Sequence, residues 1–198
     1  MPAPGETITN PVTGERITFI RTADSTAGTA LEQAYEIPGG SRMVALPHRH
    51  PANDEFFEIL EGTARYRVGR SWQVGSAPHR FTVPRDTSHV HPINVGAATL
   101  RLRQWIELGE PDRQLVDGIA RYFETIAALA AEGKVNRLGL IKNPLQFALT
   151  VSELLMPGTY LSFPPPWAQG PPVRALAALA RRLGLDAYHP PPAADRAG

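Results

Sequence analysis

The sequence predicts a mainly β protein, a small antiparallel barrel or sandwich over residues 6–108, followed by helices in the last part of the chain. Short apolar runs in the first part are separated by Gly and Pro at intervals typical of strands and turns, as in the turn-like residues 10–14. After Gly109 the apolar residues recur at steps of three and four instead. We therefore divide the chain into residues 1–110, the β-rich part, and residues 111–198, a helical extension.

The last predicted strand, residues 99–107, alternates apolar and polar side chains through Leu102. One face of this strand is therefore expected to be buried, and the other to face solvent or a polar cavity. Arg101 and Arg103 share a face. With Gln104, they are candidates for binding a carboxylate or carbonyl of a substrate, while a surface position is an equally open alternative for the two arginines.

Three helices are predicted after Gly109. The first begins after Asp112, a suitable N-cap, and ends near Gly133; the others span residues 144–156 and 172–183, with residues 163–167 as an extended, proline-stiffened connector. We expect their apolar stripes to cover the barrel or a second subunit. The stripe of the first helix consists of Leu115, Ile119, Tyr122, Phe123, Ile126 and Leu129.

Composition excludes several classes of protein. A chain of 198 residues with 42% hydrophobic residues and a mean hydropathy of -0.21 is expected to fold. Its 20 basic and 19 acidic residues leave a net charge of +1, which argues against a nucleic-acid partner. No apolar run is long enough to span a bilayer and no secretion signal is visible, so we expect a cytoplasmic protein without a membrane partner.

The histidines carry the strongest functional signal. Four of the six lie in two short clusters, His48 with His50 and His89 with His91. Side chains two residues apart on a strand point to the same face, so His48 and His50 can converge on one ion. Glu55 opens the next strand and can add a carboxylate, whereas the alternation places Glu58 on the opposite face.

His89 would complete a set of three nitrogens and one oxygen, which suits a divalent transition metal and leaves one or two open positions on an octahedral ion. The chain has no cysteine, so any metal must be bound by nitrogen and oxygen. His91 shares the face of His89 if the strand stays extended. It is open whether His91 supports the metal site, moves a proton, or is simply a structural residue.

Residues 48–62 resemble the first motif of the cupin superfamily, in which H-x-H is followed by Glu and then by Gly. Asp86 stands where the second cupin motif has its middle glycine, and aspartate adopts the left-handed backbone conformation more readily than most residues. The resemblance covers roughly residues 30–108. The positions that carry it are His48, His50, Glu55 and Gly62 for the first motif, and Gly75, Pro84, His89 and Asn94 for the second.

The resemblance to cupins implies a jelly-roll β-barrel, also called a double-stranded β-helix, with one metal ion inside it. It implies His48, His50, Glu55 and His89 as the metal ligands, with Fe, Mn, Ni, Cu or Zn as the ion. Glu55 is expected to act in catalysis too, as a base released from the metal.

We expect a small organic molecule as the substrate, and an oxygenase acting on an enol or phenol, with Fe(II), is the first hypothesis. A non-redox isomerase, cyclase or lyase is the alternative among enzymes. A small-molecule-binding or sensing protein is the alternative outside them. A metal-free epimerase is disfavoured, because it would not need the complete ligand set. Exposed strand edges and the apolar stripe of the first helix lead us to expect a homodimer.

Overall fold

Two antiparallel sheets form the main body of the structure, a computed structural model that describes residues 2–156 and 158–191. The sheet order is β1-β2-β3-β10-β5-β8 in the first sheet and β11-β4-β9-β6-β7 in the second. The strands of these described residues are β1 (Thr7–Thr9), β2 (Arg16–Arg21), β3 (Ala30–Ile37), β4 (His48–Arg49), β5 (Glu55–Glu61), β6 (Thr63–Val68), β7 (Ser71–Ser76), β8 (His79–Val83), β9 (His89–Asn94), β10 (Leu100–Glu107) and β11 (Tyr160–Leu161).

The prediction of a mainly β fold with a helical C-terminal part is confirmed, with one correction: no closed barrel forms among the described residues. The two sheets share no paired strands there, so they form a sandwich, and the order of their strands is that of a jelly roll. Side chains from both inner faces fill the interior, so packing rather than strand closure holds the sheets together. Phe19, Tyr35 and Phe57 from the first sheet and Ala64 from the second belong to one buried cluster.

In strand β10 the alternation of apolar and polar residues gives one buried face and one exposed face. It pairs with β3 on one side and β5 on the other, so it lies in the interior of its sheet. Leu100, Leu102 and Ile106 are buried along one face, and Arg101 is exposed on the other. Gln104 occupies a buried position on the apolar face.

The described helices are α1 (Ala23–Thr26), α2 (Arg113–Ala131), α3 (Pro144–Thr150), a π-helical turn (Val151–Leu155) and α4 (Pro166–Arg182). The predicted N-cap of α2 is present, since the side chain of Asp112 accepts a hydrogen bond from the backbone N–H of Leu115. Leu115, Val116 and Ile119 belong to the same buried cluster as the strands. Helix α2 therefore packs on the sheets of its own chain.

The second predicted helix changes its winding after Thr150, where the α-helix α3 passes into the π-helical turn. This turn lies very close to α2 at Gly118. A Cβ atom on Gly118 would overlap with the carbonyl oxygen of Leu154. The absence of a side chain at Gly118 allows the two segments to approach this closely.

Helix α4 begins at Pro166, so the prediction of an extended connector up to Trp167 and a helix start at Pro172 is wrong. Proline is compatible with the first turn of a helix, because the N–H that it lacks has no partner there. The buried side chain of Gln169 secures the start by bonding to both backbone groups of Leu161, at 2.7 Å and 3.2 Å. Of the helices in the described chain, none is both long and apolar enough to cross a bilayer.

Candidate metal centre

Three histidines and one glutamate meet where the two sheets face each other. His48 in β4 lies directly opposite His89 in β9, and His50 follows β4. Glu55 begins β5 in the other sheet. One nitrogen or oxygen from each of the four side chains lies within 4.8 Å of all the others. The structure thus brings together the four residues that the sequence predicts as metal ligands.

The distances within this cluster are close to those around a bound ion. His89 Nε2 lies 2.7 Å and His50 Nε2 lies 3.7 Å from Glu55 Oε2. The rings of His48 and His89 have centroids 4.1 Å apart. Ligand atoms about 2.1 Å from a metal ion and at right angles to one another are separated by about 3 Å.

Hydrogen bonds on the outer side of the rings orient the histidines. His48 Nδ1 lies 2.8 Å from the carbonyl oxygen of Leu46, and His89 Nδ1 lies 3.0 Å from that of Thr87. Because a carbonyl oxygen only accepts hydrogen bonds, Nδ1 of each ring is the donor. In a neutral imidazole this leaves Nε2 with a free lone pair, the state that binds a metal ion.

The polar atoms at the centre of the cluster are poorly satisfied. Among the described residues, His50 Nε2 is buried without a hydrogen-bond partner, and His89 Nε2 and Glu55 Oε2 are buried with no contact other than the one between them, at 2.7 Å. A buried polar group without a partner costs about 1–3 kcal/mol. A divalent cation would satisfy all three atoms at once, and imidazole nitrogen with carboxylate oxygen is a donor set that transition metals accept. The residues present therefore fit a divalent metal ion.

The protonation states of His48, His50 and Glu55 also suit a cation. Burial lowers the pKa of His48 to about 3 and also lowers that of His50, so both imidazoles are neutral at neutral pH. Burial by itself would raise the pKa of Glu55, but the contact with His89 and the other histidines holds it below its ordinary value. For His89, burial opposes and the contact with Glu55 supports protonation, and its pKa is raised.

Behind Glu55 lies a chain of buried hydrogen bonds. The side-chain amide of Gln104 donates to Glu55 Oε1. The hydroxyl of Tyr35 lies 2.6 Å from Gln104 Oε1 and 3.1 Å from Gln33 Oε1. No local pattern in the sequence predicts a role for Tyr35 or Gln33, because only the pairing of β3 with β10 places them beside Gln104.

A segment far along the chain supports His50. The hydroxyl of Thr159 lies 3.0 Å from His50 Nδ1, and both residues are buried. Strand β11 pairs with β4, with Leu161 opposite His48. The sequence carries no local signal for this contact, since Thr159 stands 109 residues after His50.

Three members of the four-residue cluster, His48, His50 and Glu55, line a cavity of about 200 Å³ between the sheets, α2 and the π-helical turn. Most of its wall is apolar or aromatic, and among the described residues that line it none is Lys or Arg. The suggestion that Arg101 and Arg103 bind substrate is therefore wrong, and the surface alternative holds. Both lie on the outer face, where Arg101 contacts Glu36 and Arg103 contacts Glu32. Gln104, in contrast, does line the cavity.

His91 lies in the cavity wall without joining the four-residue cluster. Its ring packs between Tyr35 and Phe57, at centroid distances of 4.9 Å and 5.3 Å. Its Nδ1 lies 3.0 Å from the carbonyl oxygen of Pro92, while Nε2 is buried without a partner among the described residues. Burial lowers the pKa of His91, so this imidazole is neutral at neutral pH.

The other carboxylates near the cluster have partners elsewhere. Glu58 faces outward and accepts hydrogen bonds from Arg80, and Asp54 accepts one from the backbone N–H of Arg85. Asp86 adopts the left-handed conformation with φ 56°, as expected for the position of the motif's glycine. Its carboxylate lies 3.4 Å from Arg49, outside the cluster.

Comparison with known proteins gives matches by structure alone. No family model and no curated protein matches the chain. The cupin domain of Cnp3 from Schizosaccharomyces pombe aligns with 19% identity and a TM-score of 0.40 over 48% of this chain and 64% of that domain. An uncharacterized double-stranded β-helix protein from Klebsiella pneumoniae aligns with 15% identity and a TM-score of 0.41 over 57% of this chain and 85% of that one.

Oxalate decarboxylase OxdC from Bacillus subtilis, a protein with Mn(II) centres, aligns with 17% identity and a TM-score of 0.41. The match covers 50% of this chain and 27% of that one, so the chain spans less than two thirds of the Cnp3 domain and of the decarboxylase. The β-rich part has two antiparallel sheets with a cluster of three histidines and one glutamate between them, the arrangement that the resemblance of the sequence to cupins implies.

Proposed function

We propose that this cupin-like chain binds one divalent transition metal and acts as a metal-dependent enzyme on a small organic molecule. The observation that supports the proposal is the convergence of His48, His50, Glu55 and His89 at the wall of an apolar cavity. Four protein ligands leave positions open on an octahedral ion, and the cavity leaves room for an organic molecule beside it.

An oxygenase that acts on an enol or phenol is the first choice of reaction. Bound at this site, a metal ion supplies Lewis acidity and, if it is redox-active, electron exchange between substrate and dioxygen. The protein contributes a wall that is mostly apolar and excludes water from the substrate. The hydrogen bond from the Gln104 amide to Glu55 Oε1 orients the Glu55 side chain, so that Oε2 points to the centre of the cluster.

A non-redox isomerase, cyclase or lyase is the second candidate, and His91 is the observation that favours it. Its neutral ring has an unpartnered Nε2, among the described residues, in the same cavity wall as Glu55. Such a nitrogen can take a proton from a substrate carbon or return one. Glu55 itself is the other base that we propose. A protein that binds the same molecule without converting it would need neither His91 nor Glu55 as a base.

Elemental analysis of protein purified without an affinity-metal column is the first test. We expect about one divalent metal per chain, and the double variant His48→Ala, His50→Ala should contain none while remaining folded. A full metal complement in that variant would show that the four-residue cluster is not the metal site.

The metal that is found separates the two reactions. Iron, manganese, copper or nickel together with substrate-dependent oxygen uptake supports the oxygenase. Zinc alone, with solvent hydrogen exchange into a bound enolisable ketone that His91→Gln abolishes, supports the isomerase class. Ligand binding with neither oxygen uptake nor proton exchange supports a binding or sensing protein.

A further inference from the structure

A second carboxylate lies in the cavity wall, outside the four-residue cluster. Glu15 precedes β2, is half-buried, and lines the cavity together with Asn10 and Tyr122. Within the described residues its side chain makes no hydrogen bond and no ion pair. Neither the metal site nor the packing of the sheets accounts for an acidic group at this position.

No charge in the described part of the cavity wall balances Glu15. The lining contains no Lys or Arg there, and its histidines are His48, His50 and His91, each with a lowered pKa. Burial raises the pKa of Glu15 itself to about 7. A half-buried carboxylate that faces a mostly apolar cavity without a counterion is destabilising, and a cationic group of a ligand would supply the missing charge.

Aromatic rings surround this part of the cavity. The centroids of Tyr35 and Phe123 are 6.0 Å apart, and those of Tyr122 and Phe123 are 5.6 Å apart. Burial and the charge of Glu15 raise the pKa of Tyr122 to about 12, so both tyrosine hydroxyls stay neutral. Aromatic faces beside a carboxylate favour an organic cation with an apolar body, through stacking and cation–π attraction.

From these contacts we propose that Glu15 binds a protonated amino group of the substrate, which makes the substrate class a small aromatic or apolar primary amine. The proposal rests on the proposed function for the other end of the substrate, which would lie at the metal site. The contact between Glu15 and the ammonium group does not itself require the metal. A carboxylate or phosphate at the same place would face Glu15 with no cation between them.

Three probes of nearly equal size test this charge preference: phenethylamine, phenethyl alcohol and hydrocinnamate. At about pH 8 most of Glu15 is ionised, while an alkylammonium group stays protonated as lysine does. Calorimetric titration of the full chain should show the amine binding about tenfold or more tightly than the alcohol, because an ion pair with a hydrogen bond exceeds a neutral contact by that much. Hydrocinnamate should bind most weakly.

Glu15→Gln keeps the shape of the side chain and removes the charge. It should weaken binding of phenethylamine about tenfold or more and change binding of phenethyl alcohol less than about twofold. Glu110→Gln, which removes an exposed carboxylate outside the cavity, should leave the affinity of every probe unchanged. Glu15→Gln should unfold at the same or a higher temperature than the wild type, because it loses an uncompensated charge.

Three results would overturn the assignment of Glu15: equal binding of amine and alcohol to the wild type, an amine preference that survives in Glu15→Gln, or no binding of phenethylamine at millimolar concentration. A surviving preference would mean that the amine binds elsewhere, for example to the metal. The metal content of the same preparations separates the two proposals. A full metal complement without an amine preference refutes only the role of Glu15, whereas an amine preference that depends on Glu15 in protein that takes up no divalent metal when metal is supplied refutes only the metal site.

Discussion

Replacing Gln104 with leucine should weaken metal binding without removing any metal ligand. Gln104 is the hydrogen-bond donor to Glu55 Oε1 in the described chain, and both side chains are buried. Without the amide, this oxygen of a charged carboxylate has no donor, and Glu55 can turn away from the histidines. A hydrogen bond to a charged group contributes about 1.5–3 kcal/mol.

Residues that orient a metal ligand in this way change metal affinity about 10–100-fold, which corresponds to about 1.4–2.8 kcal/mol and agrees with the value for the single bond. Tyr35→Phe should have a smaller effect, under about tenfold, because it removes the contact with Gln104 and leaves the one between Gln104 and Glu55. The order of the two variants is therefore part of the prediction.

The dissociation constant for Mn²⁺ or Zn²⁺ can be measured by calorimetric titration of metal-free protein against a competing chelator. Arg103→Gln is the matched control, because Arg103 neighbours Gln104 on the same strand and faces outward. Urea unfolding of the metal-free variants shows whether each still folds. If folded Gln104→Leu binds metal within twofold of the wild type, or if Arg103→Gln loses as much affinity, Glu55 is not oriented by Gln104.

The remaining predictions concern stability and assembly. Free metal at a thousand times its dissociation constant should add about 4 kcal/mol and raise the melting temperature by about 8–16 °C, a shift absent from His48→Ala, His50→Ala. In the metal-free protein the urea midpoint should fall between about pH 6.5 and pH 3. The pKa of His48 is about 3 in the fold and about 6.5 when unfolded, and those of His50 and His91 are lowered too, so at these sites the unfolded chain binds more protons. The raised pKa of Glu15 opposes the loss only in part and only above about pH 4.5. A midpoint that rises on acidification would contradict this. Gly118→Ala should cost about 1–3 kcal/mol by urea unfolding, since its Cβ would meet the Leu154 carbonyl, whereas Gly109→Ala, with open space around it, should cost far less. Light scattering at micromolar concentration should give the mass of a homodimer; a monomer mass would contradict the expected assembly.

The features that the sequence predicted correctly depend on local physics. A period of two residues is enough to place His48 beside His50 and to separate Glu55 from Glu58. Likewise, Asp112 caps a helix through a backbone N–H only three residues away, at Leu115. Such features follow from neighbouring residues and the geometry of one strand or one helix, so they can be predicted before any tertiary contact is known.

The other features depend on contacts between distant segments, which no local pattern encodes. Thr159 reaches His50 only because β11 pairs with β4, and Tyr35 reaches Gln104 only because β3 pairs with β10. The start of α4 at Pro166 was mispredicted for the same reason, since local proline signals say nothing of the contacts of Gln169 with Leu161.

By itself, then, the sequence determined the β-rich fold and the four candidate ligands, because strand period and motif spacing are local quantities. Tertiary structure alone decided that the two sheets share no paired strands within the described residues, that the arginines of β10 face outward, and that Glu15 faces the cavity. Which side chains share a cavity depends on how the sheets and α2 pack together, and packing brings together residues whose separation along the chain carries no signal.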